Sequence, residues 1–289
     1  MKNNLRCVAF LAVLAAACGP VDEDSLAVES EQPGQARAAL EEDNGLAFNG
    51  LAFNGLAFNG LASQEFGAWF REHPAESDQF MKYLVRCAVP SGQTRWYWDG
   101  QRAYAWSGNL GLAPDWASGK TASVDEQQVV SACLAALTNK YGTPVLVSIQ
   151  GSTAKGQPIP VSNEERTGYT VREGCFFGNL FTPEGLFVGN DQPMLSPAQS
   201  SLRACALTGG NACPPLKHVG GCQAVCQPEG PGPGAGFARC TYKGVSYRAL
   251  TTRLRPQDIF TCGDGVCQAT ESCGNGQTAL SCKADCGKC

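Results

Sequence analysis

The chain has 289 residues, of which 16 are cysteine, and its 22 basic and 26 acidic side chains give a formal net charge of −4. No basic excess marks a surface for nucleic acid, so we expect no nucleic-acid partner. Cysteine at this density is typical of exported proteins in which oxidation pairs the thiols, and it argues against a reducing compartment.

The first 17 residues have the layout of a signal peptide. Lys2 and Arg6 precede an apolar run over residues 8–17, which is too short to span a bilayer. The run ends in Leu14-Ala-Ala-Ala-Cys18-Gly, which resembles the lipobox of bacterial lipoproteins, in which the cysteine is acylated. Leu14 stands one position earlier than in that pattern, so an ordinary small-residue cleavage site is the alternative.

We expect lipidation of Cys18 and attachment to a membrane through that lipid anchor. Gly19 follows the cysteine where an aspartate could stand, and by the same resemblance this implies an outer-membrane or cell-surface lipoprotein. Without the lipid, the protein would be secreted.

Residues 18–43 predict an acidic disordered stalk. Between residues 19 and 43 eight carboxylates face the single base Arg37, and large apolar side chains are few. Such a segment cannot bury enough surface to offset the entropy of ordering it.

Residues 44–62 repeat the sequence NGLAF. The five-residue period resembles the pentapeptide-repeat pattern, with Phe48, Phe53 and Phe58 at the inward position. Fewer than four repeats supply about one coil, whereas a solenoid must stack several coils to bury its face. We therefore expect a turn-rich linker, and the alternative is an extended strip packed on the body.

Residues 63–256 predict one α+β body domain with early helices and a late, antiparallel, disulfide-crosslinked sheet. Ser63 can cap a helix that runs through Arg71, and Ser77 or Asp78 can cap a second. Strands are predicted at residues 144–150, 169–172 and 185–188 and in a hairpin over 237–254 that turns at Lys243-Gly244.

A third helix has the strongest local signals. Ser123 and Glu126 have the spacing of a capping box, and Gly142 stands where a C-terminal cap belongs. Cys87 and Cys133 lie on the apolar faces of the second and third helices, so we expect a disulfide between them.

Residues 94–98 and 101–106 flank Asp99-Gly100, the commonest two-residue hairpin turn signal. If Trp98 pairs with Gln101, Trp96 and Trp98 share a face with two alanines, and we expect this face to be the core face.

The opposite face of this hairpin would then be an aromatic and guanidinium surface of the kind that stacks on sugars or peptides. The alternative is that both faces are packed, or that these side chains only pair across the strands. The candidate ligand-binding residues are Arg95, Tyr97, Arg102, Tyr104 and Trp106.

Residues 257–289 predict a separate Cys-rich disulfide module, because so few apolar side chains cannot form a core. Its sequence resembles small Cys-rich repeats at the ends of exported bacterial proteins. Asp264, Glu271 and Asp285 could offer oxygens to calcium, but their spacing does not match an EF-hand, and we expect solvated turn acids and no metal.

Fourteen cysteines remain after the signal peptide and Cys18 are set aside, and we expect all of them to form disulfides. The alternative is zinc, suggested by Cys222 and Cys226, but an oxidising compartment removes the thiolates that zinc needs. Eight lie in the body (Cys87, Cys133, Cys175, Cys205, Cys213, Cys222, Cys226, Cys240) and six in the tail (Cys262, Cys267, Cys273, Cys282, Cys286, Cys289).

Three features together, the lipobox-like signal, the Asn-Gly pentapeptide tract and the tail pattern CGDGVC…DCG, resemble exported Cys-rich lipoproteins of myxobacterial type. The resemblance implies a cell-envelope protein, and it implies no particular reaction.

Sequence motifs for catalysis or cofactors are weak. Gly119-Lys120-Thr121 mimics the end of a phosphate loop, but Pro114 stands where the first glycine is needed, so we expect no nucleotide and no cofactor. Ser152 and Lys155 have the spacing of a serine–lysine pair without the companion motifs.

We therefore expect a non-catalytic binding or structural role at the cell surface, with a glycan or protein ligand. The alternative is a secreted polysaccharide hydrolase that uses a carboxylate pair. Its candidate acids are Asp99, Asp115, Glu164, Glu165 and Glu173.

Overall fold

A computed structural model describes the protein between residues 39 and 288, with gaps. The predicted signal peptide, Cys18 and most of the predicted stalk and repeat tract lie outside the described residues. The described residues are 39–40, 46–47, 64–139, 146–191, 199–200, 215–230, 236–256, 260–263, 265, 267, 273 and 282–288.

The long helices lie early in the chain, as predicted. The first begins next to the predicted cap Ser63. The second begins at Pro74, earlier than predicted from Ser77 or Asp78, because proline has its φ preset for the first helical position and has no N–H to leave unpaired there. The helices are α1 (Gln64–Glu72), α2 (Pro74–Ala88), α3 (Pro114–Ala117), α4 (Val124–Leu137), α5 (Asn163–Gly168), α6 (Cys222–Val225) and α7 (Lys283–Cys286).

Helix α4 begins at the predicted capping box. The hydroxyl of Ser123 accepts the backbone N–H of Glu126, and the Glu126 carboxylate accepts the N–H of Ser123. From Gln128 to Leu137 every side chain of α4 is buried, because the helix packs against α2 on one side and the sheet on the other.

Helix α4 ends at Leu137, earlier than the prediction of a cap at Gly142, which lies outside the described residues. The chain becomes extended at Thr138, which begins a short strand.

The strands predicted in the body are present with shifted ends, and the hairpin turns at Lys243 and Gly244, whose φ angles of 50° and 81° suit a type I′ turn. The strands are β1 (Ala39–Leu40), β2 (Leu46–Ala47), β3 (Thr94–Trp98), β4 (Ala103–Ser107), β5 (Thr138–Asn139), β6 (Val147–Gly151), β7 (Val171–Asn179), β8 (Gly185–Asn190), β9 (Gln199–Ser200), β10 (Leu216–Gly221), β11 (Cys226–Pro228), β12 (Phe237–Tyr242), β13 (Val245–Leu254) and β14 (Phe260–Thr261).

The main sheet is centred on the long strand β13. It runs in the order β1-β6-β13-β7-β8-β10, and β12 joins the first half of β13 and carries β11. The pairing of β10 with β8 is parallel, and the other pairings of this sheet are antiparallel. The fold is therefore α+β, with early helices and a late sheet.

Alternate residues of the sheet face two different hydrophobic clusters. Phe176 packs in the large cluster with α1, α2 and α4, whereas Cys175 and Phe177 pack in a smaller one on the opposite face. The disulfides Cys175–Cys222 and Cys226–Cys240 lie in that smaller cluster.

The described disulfides connect body to body and tail to tail. Cys87 bonds to Cys133, which confirms the predicted link between α2 and α4. In the tail Cys262 bonds to Cys282, Cys267 bonds to Cys286, and Cys273 is also disulfide-bonded. The predicted disulfide residues Cys205, Cys213 and Cys289 lie outside the described residues.

Two short strands precede α1. Ala39–Leu40 pairs with β6 at the edge of the sheet, and Leu46–Ala47 pairs with β5 in parallel. At these four positions the chain pairs with strands of the body. Ala39 and Leu40 belong to the predicted stalk, and Leu46 and Ala47 belong to the repeat tract, for which a packed strip was the alternative.

Candidate functional site

The candidate site is built on the hairpin of β3 and β4. Both oxygens of the Asp99 carboxylate are engaged, because one accepts the backbone N–H groups of Gln101 and Arg102 at 2.7 Å and the other accepts the hydroxyl of Tyr104 at 3.0 Å. These hydrogen bonds, led by that of Arg102, lower the pKa of Asp99 below 3.8. Asp99 therefore fixes the turn that holds the two strands together.

The turn is longer than predicted. Trp98 pairs with Ala103 and not with Gln101, so four residues connect the strands where two were expected. The shift is an even number of residues, and each side chain therefore stays on its predicted face.

The buried and exposed faces of the hairpin are the reverse of the prediction. Tyr104 and Trp106 are buried, whereas Trp96 is 70% and Trp98 62% exposed. The reason lies in α1, which presents Phe66 and Phe70 one turn apart and so offers an aromatic surface to the face that carries the tyrosines.

The buried face is held by ring contacts and hydrogen bonds. The ring of Phe70 lies 4.7 Å from that of Tyr104 and 4.8 Å from that of Tyr97 between centroids. The indole N–H of Trp106 donates to Asp78 at 2.7 Å. Burial, followed by the hydrogen bond to Asp99, raises the pKa of Tyr104. The polar tips of Tyr104 and Trp106 thus both have partners inside the protein.

Two of the five predicted ligand-binding residues, Tyr104 and Trp106, are therefore part of the core. Tyr97 is half-buried and its pKa is raised by burial. Arg95 donates to the carbonyl of Ala117, which ties the hairpin to α3, and the exposed Arg102 lies 4.9 Å from the centroid of the Tyr104 ring. The hairpin brings these five side chains onto one face, and that face is mostly turned inward.

The exposed face, here called the tryptophan face, consists of Trp96, Trp98, Ala103 and Ala105. Only four large apolar side chains are exposed in the part of the chain that the structure describes, and two of them are these tryptophans. Two small alanines opposite them leave both indole rings uncovered. The prediction that these tryptophans form the core face is therefore wrong, and the small side chains of Ala103 and Ala105 give this face little with which to interlock.

The acids proposed for hydrolysis have separate partners. Asp115 is paired with Lys120 and Lys155, which lowers its pKa, with the hydrogen bond from Lys155 as the largest cause. Buried Glu165 accepts the hydroxyl of Ser148 at 2.5 Å, and buried Glu173 accepts that of Thr252 at 2.6 Å.

The remaining two acids lie at exposed or turn positions. Glu164 is exposed in the first turn of α5, and Asp99 serves the hairpin turn. The described hydrogen bonds and ion pairs thus give Asp99, Asp115, Glu165 and Glu173 separate local roles, and Glu164 is a surface acid.

Among the described residues, two groups of side chains have the proximity of metal ligands: Cys175 with Cys226 and Cys240, and Cys262 with Cys282 and Asp285. Their cysteines are in disulfides, so they offer no thiolate.

Asp285 accepts the backbone N–H groups of Gly263 and Gly265 at 2.6 and 3.1 Å, so its carboxylate serves a turn of the tail. The other proposed calcium ligands, Asp264 and Glu271, lie outside the described residues.

A nucleophilic thiol beside His218 would require a reduced cysteine, and every described body cysteine is oxidised. His218 instead lies 3.2 Å from the side-chain oxygen of Asn190, and burial lowers its pKa.

In the ranges with described structure, no helix combines the length and the apolar character that crossing a membrane requires. No family model matches the chain, and no curated protein and no solved structure gives a match to it.

Proposed function

We propose that this chain is a cell-envelope lipoprotein with a non-catalytic binding role at the cell surface, and that its tryptophan face binds a glycan. The observation that carries the proposal is the exposure of Trp96 and Trp98 side by side on one strand. Indole rings that are mostly exposed on a rigid hairpin contribute little to the core, and a large exposed apolar patch typically marks a binding surface.

The geometry favours a ligand with flat faces. Trp96 and Trp98 are two residues apart on β3, so their Cα atoms lie about 6.6 Å apart and their rings project from the same face. A pyranose ring has an apolar face that can stack on an indole, and aromatic side chains supply such contact at low entropic cost.

The hairpin is also preorganised for binding. Its other face is locked to α1 by the rings of Phe66 and Phe70, and its turn is closed by Asp99. A ligand therefore need not order the strands, and less binding free energy is spent on fixing the site.

The cellular location in this proposal rests on the sequence and on the disulfides. Five described disulfides are compatible with an oxidising compartment. The lipobox-like segment at Cys18 supports attachment to the membrane by acylation.

The test is glycan binding by the Trp96→Ala and Trp98→Ala variants, measured on a glycan array and then by calorimetry on the glycans bound by the wild type. We expect each change to weaken binding about fivefold, which corresponds to the loss of one aromatic contact. Val124→Ala is the matched control, because Val124 is also 62% exposed but lies at the start of α4.

Unchanged binding in both tryptophan variants, or an equal loss in Val124→Ala, would overturn the proposal. If the protein bound a protein ligand and no glycan, the tryptophan face would still be a binding surface, but its ligand would be a protein.

A further inference from the structure

The tryptophan face continues at one end into a pair of hydroxyl groups. Thr94 pairs with Ser107 next to the pair of Trp96 and Ala105, and residues two apart on a strand project from the same face. Thr94 and Ser107 are both exposed, and neither hydroxyl has a hydrogen-bond partner among the described residues. The exposed face of β3 and β4 therefore presents two indole rings followed by two free hydroxyl groups.

The two indole rings also keep their polar groups free. Neither Trp96 nor Trp98 has a hydrogen bond, a ring contact or a cation–π contact with a described residue. An indole N–H is a hydrogen-bond donor only. Each tryptophan thus offers a ligand both an apolar ring and a donor for a ligand oxygen.

The exposed face of the hairpin carries no ionisable side chain. Arg95 and Arg102 alternate with its residues and project from the opposite face, where Arg95 donates to the carbonyl of Ala117 and Arg102 lies over the ring of Tyr104. The six side chains on the exposed face are those of Thr94, Trp96, Trp98, Ala103, Ala105 and Ser107.

The charged side chains beside this face are already engaged. Asp78, Lys82 and Arg86 of α2 lie next to Ser107. Asp78 accepts the indole N–H of Trp106, and Lys82 and Arg86 each have an interaction within the protein. An acidic ligand on this face would lose water from its charge without gaining an unpaired cation, which is unfavourable.

The length of the face suits several sugars in a row. Thr94 and Trp98 are the two ends of β3, and their Cα atoms lie about 13 Å apart along the strand. A pyranose ring with only equatorial substituents has C–H bonds on its faces and hydroxyl groups around its rim. Such a ring stacks on an indole through its face and forms hydrogen bonds through its rim.

We propose that the glycan is neutral and extended, with successive sugars stacked on Trp98 and Trp96 and with rim hydroxyls bonded to Thr94 and Ser107. This inference rests on the proposed function and adds the class of ligand. A β-1,4-linked polymer of glucose or of N-acetylglucosamine has these properties.

The experiment measures binding of the full chain by calorimetry to cellotriose, chitotriose, glucose and the trimer of β-1,4-linked glucuronic acid. The last ligand has the backbone of cellotriose with a carboxylate at each C6, so it isolates the effect of charge. We expect one or both neutral trimers to bind about tenfold more tightly than glucose, because they reach a second ring and the hydroxyl pair. Their affinity should change by less than about twofold between roughly 0.05 and 0.5 M salt.

The variant Thr94→Val/Ser107→Ala tests the hydroxyl pair, and we expect it to weaken binding of the neutral trimers about fivefold. The variant Thr241→Val/Ser246→Ala is the matched control. It removes another exposed Thr–Ser pair that faces across two strands, on the hairpin of β12 and β13, and it should leave binding unchanged.

Three results would overturn the neutral, extended ligand. They are tighter, salt-sensitive binding of the glucuronic acid trimer, neutral trimers that bind no better than glucose, and an equal loss in the control variant. If Trp96→Ala and Trp98→Ala still weakened the binding of a glycan, the proposed function would stand without this ligand class. If neither changed the binding of any glycan, the proposed function itself would be wrong.

Discussion

The three tryptophans of the hairpin lie in two different environments, one buried and two exposed, because residues alternate between the two faces of a strand. Trp106 is 2% exposed and its indole N–H is hydrogen-bonded to Asp78, whereas Trp96 and Trp98 face solvent. The same residue type therefore stabilises the fold at one position and is available for ligands at two others.

The difference between the buried Trp106 and the exposed Trp96 can be measured as the change in the free energy of unfolding when each is replaced by alanine. We expect Trp106→Ala to lower the free energy of unfolding by roughly 3–5 kcal/mol, because it leaves a cavity and an unpaired Asp78. Trp96→Ala should change it by less than about 0.5 kcal/mol, as an exposed substitution does. Urea unfolding of both variants checks this, and comparable losses in the two would show that the tryptophan face is packed in solution.

At the scale of elements, local signals in the sequence predicted much of the fold. The capping box of Ser123 and Glu126 set the start of α4, and Lys243-Gly244 set a hairpin turn, because each depends on residues close in sequence. The spacing of Cys87 and Cys133 on apolar helix faces was sufficient to pair them.

The burial of the aromatic hairpin could not be predicted in that way. Its two faces are both rich in large side chains, and the choice between them depends on Phe66 and Phe70, about thirty residues earlier in the chain.

The disulfide between α2 and α4 also gives a prediction at this scale. The bond closes a loop with a sequence separation of 46. The double variant Cys87→Ala/Cys133→Ala should therefore lose about 4 kcal/mol of stability, through the greater entropy of the unfolded chain.

Calorimetry of the double variant measures this loss. Cys267→Ala/Cys286→Ala in the tail is the control, which we expect to leave the main melting transition of the body in place. A body that melts as the wild type without the α2–α4 bond would contradict the prediction.

At the scale of the whole molecule, the proposed anchor predicts where the protein is found. In a bacterial host that processes lipoproteins, the wild type should fractionate with membranes, and Cys18→Ser should release it into the soluble or secreted fraction. Mass spectrometry of the mature N-terminus should find a diacylated or triacylated Cys18. Cleavage that leaves an unmodified Cys18 thiol would show an ordinary signal peptide.

The two short strands ahead of α1 have a mechanical consequence. A drag force on a tethered molecule would reach β1 first and β2 next, each held by two residue pairs, before it loaded α1 and the hairpin. Under a load from flow or a moving surface, these strands would then open before the hairpin does, and the tryptophan face would keep its shape.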